Sequence, residues 1–111
     1  MFDQIPNEDL TEQVLPSPDA DWWQIWEFAL AFDGYGHWGS FDECADLGNR
    51  WAAAYARNKA LPESLTELRT CLFFEQRRWH HFGDDPHETA ERYIRDLLAE
   101  IRRRVLAGEV E

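Results

Sequence analysis

"GYGHWGSFDE", residues 34–43, is open to two folds. Gly34, Gly36 and Gly39 spell G-x-G-x-x-G, the turn that cradles a pyrophosphate between a strand and a helix. Ser40-Phe41-Asp42-Glu43 spells a capping box, in which a serine oxygen and a glutamate three residues on satisfy the N–H groups that a helix start leaves orphaned. The dinucleotide fold needs a strand before the glycines and an acidic residue about 20 positions after them. Here the preceding residues repeat with helical period, no Asp or Glu lies between Ala53 and Lys59, and Trp38 would crowd a pyrophosphate. The stretch therefore predicts no cofactor, but a flexible connection using positive backbone angles, followed by a helix.

Similar punctuation marks the rest of the chain. Ser64-Leu65-Thr66-Glu67 and Asp85-Pro86-His87-Glu88 are further box-like starts, and Ser17-Pro18-Asp19 places a cap, a proline suited to the first helical position and an acid at the positive end of the dipole. Apolar residues then recur at helical spacing. A first helix over 18–32 carries Trp22, Ile25, Trp26, Ala29 and Leu30, with Trp23 and Phe28 widening its apolar face. A second over 41–58 carries Phe41, Cys44, Leu47, Trp51 and Tyr55, and Gly48 within it signals close approach by a neighbour. A third over 65–82 carries Leu68, Cys71, Leu72, Phe74 and Trp79, closed by Gly83; a fourth over 86–107 carries Ile94, Leu97, Leu98, Ile101 and Val105, closed by Gly108. On the outer face of the fourth, Glu88–Arg92, Glu91–Arg95 and Glu100–Arg104 stand at i,i+4.

Short connections make antiparallel neighbours, so the expected fold is all-α: a single antiparallel bundle of four main helices over 17–108, with an N-terminal arm or short extra helix over 1–16 and a tail over 109–111. A chain of 111 residues with 44% hydrophobic content suits one domain, and six Trp and seven Phe supply large areas to bury. Neither an internal repeat nor a low-complexity segment occurs. Cys44 and Cys71 fall on apolar faces and imply buried thiols rather than a disulfide framework. "MFDQIPNEDL" has no basic-then-apolar leader and no apolar run reaches the ~18 residues of a membrane span, from which a soluble, cytoplasmic protein is expected.

Net charge is −11, and all of the excess lies in residues 1–49, which hold eleven acids and no Lys or Arg; residues 50–111 hold eleven of each sign. Duplex DNA and anionic lipid are disfavoured partners for such a half, whereas a basic protein surface is favoured.

Candidate chemistry is thin. His80, His81 and His87 with Asp84 and Asp85 have zinc-ligand chemistry around the last interhelical turn but no recognised spacing. His87-Glu88-Thr89-Ala90-Glu91 ends in Glu where a zincin has its second His, and Glu-x-x-His pairs are absent. Cys71 sits on an apolar face unsuited to a nucleophile, and Ser40 and Ser64 are caps. "FEQRRWHH", residues 74–81, interleaves Arg with aromatics as base-stacking surfaces do, but its two permanent charges are too few for a groove. Glu75, Arg77 and Arg78 are instead expected on the solvated side of a helix or bridging to the acidic half, to which a partly buried Arg would supply an internal counterion.

The expectation is a non-enzymatic interaction module, of inhibitor, antitoxin, immunity or adaptor type, with an acidic, aromatic-rich face for a basic protein partner and no cofactor or metal. Its contact residues are Asp19, Asp21, Asp33, Tyr35, His37, Trp38, Asp42 and Glu43. Trp38 is either such an anchor or an inward plug over the bundle end. The competing classes are a homo-oligomeric structural protein, with a homodimer as its simplest form, and a metal protein built on His80, His81 and Asp84.

Overall fold

The capping residues fix where most helices begin. Glu43 N–H donates to Ser40 Oγ at 3.2 Å and Glu67 N–H to Ser64 Oγ at 3.0 Å, starting the two helices expected at these positions. The computed structural model describes residues 3–81 and 88–109, without the side chains of His80 and His81. Its elements are a 3-10 turn at Asn7–Asp9, then α1 (Trp22–Ala29), α2 (Gly34–Trp38), α3 (Phe41–Asn58), α4 (Leu65–His81) and α5 (Glu88–Leu106). The fold is all-helical, with no strand among the described residues. Among the described residues, no helix is long and apolar enough to cross a membrane.

Helix α4 is the centre of the fold, packing against α5, α3, α1 and α2. Its buried Leu65, Leu68, Cys71 and Leu72 meet Ile94, Leu97, Leu98 and Ile101 of α5 and Ile25, Phe28 and Ala29 of α1 in one apolar core. A smaller cluster joins Cys44 and Ala45 to Phe73 and Phe74, with Tyr35 and Trp38 packed against it. Helix α3 crosses α4 at Gly48, where an added Cβ would lie 2.5 Å from Phe74 Cδ2; the close neighbour expected there is this ring.

The first expected helix is not continuous. Ser17 does cap, accepting from Asp19 N–H at 3.2 Å, but only a single turn. Asp21 then takes an extended ψ of 148°, and α1 starts after it with Gln24 Oε1 accepting from Asp21 N–H at 3.2 Å. At the far end the chain leaves α1 after Ala29. The Ala31 carbonyl turns to accept from Ile5 N–H at 2.9 Å and from Arg69 Nη2 at 3.3 Å. Residues 34–38, expected as a flexible connection, instead form the short helix α2, capped by Asp33 Oδ1 accepting from Gly36 N–H at 3.0 Å. Of the three glycines of the motif only Gly39, which caps the end of α2 at φ +84°, uses a left-handed conformation.

Three arginines hold the arm and the turns around it. Arg69, only 2% exposed, donates from Nη1 to Ile5 O at 2.6 Å and to Asn7 Oδ1 at 3.0 Å, with the rings of Phe28 and Phe32 beneath its guanidinium. Arg95 of α5 donates to the carbonyls of Pro18 and Ala20, and Arg102 to those of Leu15 and Pro16. The internal counterion expected from a buried Arg is thus absent in that form: these cations bind main-chain carbonyls of the acidic half, not its carboxylates.

Candidate functional site

The two motifs singled out on sequence grounds, "GYGHWGS" and "FEQRRWHH", meet in space. Tyr35 of α2 stacks edge-on against Phe73 of α4, with ring centroids 4.9 Å apart, and the Arg77 guanidinium lies 5.3 Å from the Tyr35 centroid. Phe41, at the first turn of α3, leans on Tyr35 at 5.4 Å and Phe74 at 6.4 Å, yet stays 58% exposed. Tyr35, Phe41, Phe74, Arg77 and Arg78 line a groove of about 560 Å³.

Of the eight expected contact residues, five carboxylates and His37 are exposed, Tyr35 is half-buried in this groove, and Trp38 turns inward. The Trp38 indole N–H donates to Thr70 Oγ1 at 2.8 Å, which itself donates to Thr66 O, so the side chain closes the small cluster as a plug. His37 packs on Phe32 and Trp38 at 5.5 and 5.1 Å. Asp42 and Glu43 stand in the first turn of α3, and Asp33 caps α2 just before it. Asp19 and Asp21 precede α1, whose eight residues span about 12 Å, so these two stand at the opposite end of that helix from Asp33 and the residues after it.

The whole acidic half shares one property. All eleven of its carboxylates are exposed, and among the described residues none of them takes part in an ion pair. The ion pairs run instead within the second half: Arg78–Glu75 at 3.4 Å, Arg92–Glu88 at 3.7 Å, Arg95–Glu91 at 3.4 Å, and Arg103 with Glu100 and Glu109. Glu100 therefore pairs with Arg103 rather than the expected Arg104. Glu75, expected in solvent, is 4% exposed.

Side chains able to do covalent chemistry are held back. Burial pushes the Cys44 thiol up to about 11, and that of Cys71 to about 12. Burial likewise lowers Arg69 to about 10, which leaves it protonated at neutral pH. Among the described residues no group of three or more His, Cys, Asp or Glu is placed to hold a metal ion. The suggested cluster at His80, His81, Asp84, Asp85 and His87 lies outside this statement, because residues 82–87 and the side chains of His80 and His81 are outside the described residues.

Sequence reasoning missed two exposed aromatics and the Arg69 pin. Trp23 was expected to widen the apolar face of the first helix but is 61% exposed. At 100° per residue it points away from the stripe of Ile25, Phe28 and Ala29, and that angle was the available signal. Phe41 lies on its helix's apolar stripe, but its ring, at the first residue of α3, touches Tyr35 and Phe74 on one side and stays largely in solvent. No local pattern marks Arg69, whose partners lie 38 to 64 residues away. No protein-family model matches the chain, and comparisons with curated proteins and with solved structures find no significant similarity.

Proposed function

We propose that this chain is a non-enzymatic interaction module that docks its acidic half on a basic protein surface, in the manner of an inhibitor, antitoxin, immunity protein or adaptor. One observation carries the proposal: the eleven carboxylates of residues 1–49 are exposed and, among the described residues, in no ion pair, while the bonds that Arg69, Arg95 and Arg102 make to that half go to carbonyl oxygens. The net negative field of carboxylates held in no ion pair steers and orients a cationic partner, and its effect falls with ionic strength. The aromatic surface beside it, with Tyr35 and Phe41 flanked by Asp33, Asp42 and Glu43, offers the apolar contact that charge alone does not.

Affinity purification of the wild-type chain from host cells, beside a variant with Asp19, Asp21, Asp33 and Asp42 changed to Asn and Glu43 to Gln, tests the reading. Asn remains a competent helix cap, so these changes remove charge and keep the helix starts. The expected partner is basic, is released as salt rises and is not retained by the neutralised variant. A partner held equally by both proteins, or one indifferent to salt, refutes the proposal. Exposed Phe41 also suits a contact between two copies, which light scattering across micromolar concentrations distinguishes.

A further inference from the structure

Two of the four large hydrophobics left exposed among the described residues, Val14 and Trp23, line a single groove of about 550 Å³ between the arm and α1. One wall is α1, with Trp23 and Glu27 on its outer face and the edge of the buried Phe28 ring at the base; the other is the arm, with Asp3, Val14 and Pro16. Its lining includes two carboxylates and no basic residue. Asp3 and Glu27 are both exposed, and among the described residues neither takes part in an ion pair. The groove differs in this from the one beneath Phe41, whose lining has two arginines and no acid.

The arm wall is built, not draped. Arg102 holds the Leu15 and Pro16 carbonyls at 3.2 and 3.3 Å, Ile5 N–H donates to Ala31 O, and Leu10 and Leu15 are buried. The groove thus exists before anything enters it, which lowers the ordering cost of binding. Along α1 its lining runs from Trp23 to Phe28, about 7.5 Å at the helical rise, the length of roughly two extended residues, and continues beyond the helix end to Ala31.

We infer that this groove receives a short extended segment of the basic partner, in which an apolar side chain packs against Trp23 and Phe28 and flanking Lys or Arg residues meet Asp3 and Glu27. The assignment rests on the acidic-module reading proposed above and adds the docking position and the chemistry of the segment. An Arg of that segment also has the Trp23 ring face to stack on. Basic residues define the occupant because, among the described residues, the charged side chains lining the groove are the carboxylates of Asp3 and Glu27, while Arg69 and Arg102 stand behind its walls with their donors turned to the carbonyls of Ile5, Ala31, Leu15 and Pro16.

The probe is a displayed library of random short peptides, selected on the immobilised full chain. Enriched peptides are then synthesised with a fluorophore and titrated by anisotropy against wild type, W23A, E27K and the distant pair D42N/E43N. Because Trp23 and Glu27 are exposed, their variants are expected to keep the wild-type circular dichroism and urea midpoint. The expected peptides carry Lys or Arg around an apolar residue, weaken as salt rises, lose at least about tenfold in affinity for W23A and for E27K, and bind D42N/E43N as they bind wild type. Basic, salt-sensitive peptides that ignore W23A and E27K overturn the groove and leave the acidic module standing. Enrichment of non-basic, salt-indifferent peptides overturns both. Failure to enrich any peptide overturns the groove. Sedimentation of wild type as a dimer and of W23A as a monomer assigns the groove to a second copy, and overturns it as a peptide seat.

Discussion

Replacing Arg69 with Met should loosen the arm without emptying the core. Methionine refills the space of the aliphatic stem, so packing loss stays below about 1.5 kcal/mol. The hydrogen bonds decide the rest. Ala31 O keeps Ile5 N–H as a donor, and Asn7 Nδ2 still reaches Thr66 Oγ1 at 3.0 Å, but Ile5 O and Asn7 Oδ1 lose their partner. Two orphaned acceptors cost about 1–3 kcal/mol each. Loss of the guanidinium from above Phe28 and Phe32 adds about 1 kcal/mol. Against this stands the relief of no longer burying a cation, of order several kcal/mol. The net expectation is a loss of about 2–3 kcal/mol, a large fraction of the stability of an ordinary domain. Urea denaturation followed by tryptophan fluorescence gives the global term, and amide exchange at Ile5 the local one. R69K should behave like R69M, since an ammonium cannot span carbonyls on two sides as the fork does. An R69M protein within about 0.5 kcal/mol of wild type, with its Ile5 amide still protected, would refute the pinning role.

Gly48→Ala should destabilise by about 1–3 kcal/mol despite alanine's better helix propensity, because its Cβ would sit 2.5 Å from Phe74 Cδ2; a urea midpoint at or above wild type contradicts this. Trp38→Ala should cost about 2–4 kcal/mol and Thr70→Val about 1 kcal/mol, measured by the same unfolding curve, since the indole is a half-buried plug bonded to Thr70 Oγ1. Cys44 and Cys71, both fully buried and raised to about 11 and 12, should resist a thiol-reactive disulfide at pH 8 until denaturant is added, and stoichiometric labelling of the native protein would be the adverse result. Burial and the bond to Asp96 Oδ2 at 2.5 Å raise Tyr55 from 10 to about 12. Its phenol therefore ionises first in the unfolded chain, and stability falls as pH rises from about 10 to 12. Tyr55→Phe should flatten this alkaline limb in pH-dependent unfolding without removing it, because Tyr93 and Cys71 are raised too.

What could be read in the sequence was what neighbouring residues decide. Ser40 and Ser64 start their helices by bonds to amides three residues on, so α3 has the expected bounds and α4 the expected start. Gly48 announced a close neighbour because only that justifies a glycine in mid-helix. The break between α1 and α2 was not readable, since its cause is a carbonyl drawn to Arg69, 38 residues away. The i,i+4 pairs Glu88–Arg92 and Glu91–Arg95 were readable because they are local, whereas the bonds of Arg69, Arg95 and Arg102 to carbonyls of the first half span 38 to 87 residues and leave no local pattern. At the candidate site, the exposure of the acids followed from their number and the lack of local counterions. The direction of Trp38 depended on Thr70, and that of Trp23 on which stripe of α1 the core selects.

The arginine clasps also set an order of events in making the protein. Residues 5–20 leave the ribosome early, yet the guanidiniums that fix them belong to Arg69, Arg95 and Arg102, and the bonds close loops of up to 87 residues. Contacts that distant are slow to form, because chain entropy must be spent before any interaction repays it. The arm is therefore made before its clasps and locked after them: Arg69 can hold Ile5 and Asn7 only once α4 has emerged, and residues 15–20 wait for Arg95 and Arg102 of α5. Pulse-labelled amide exchange during refolding should accordingly protect Ile5 after the α4–α5 core, and early protection of Ile5 would reverse that sequence.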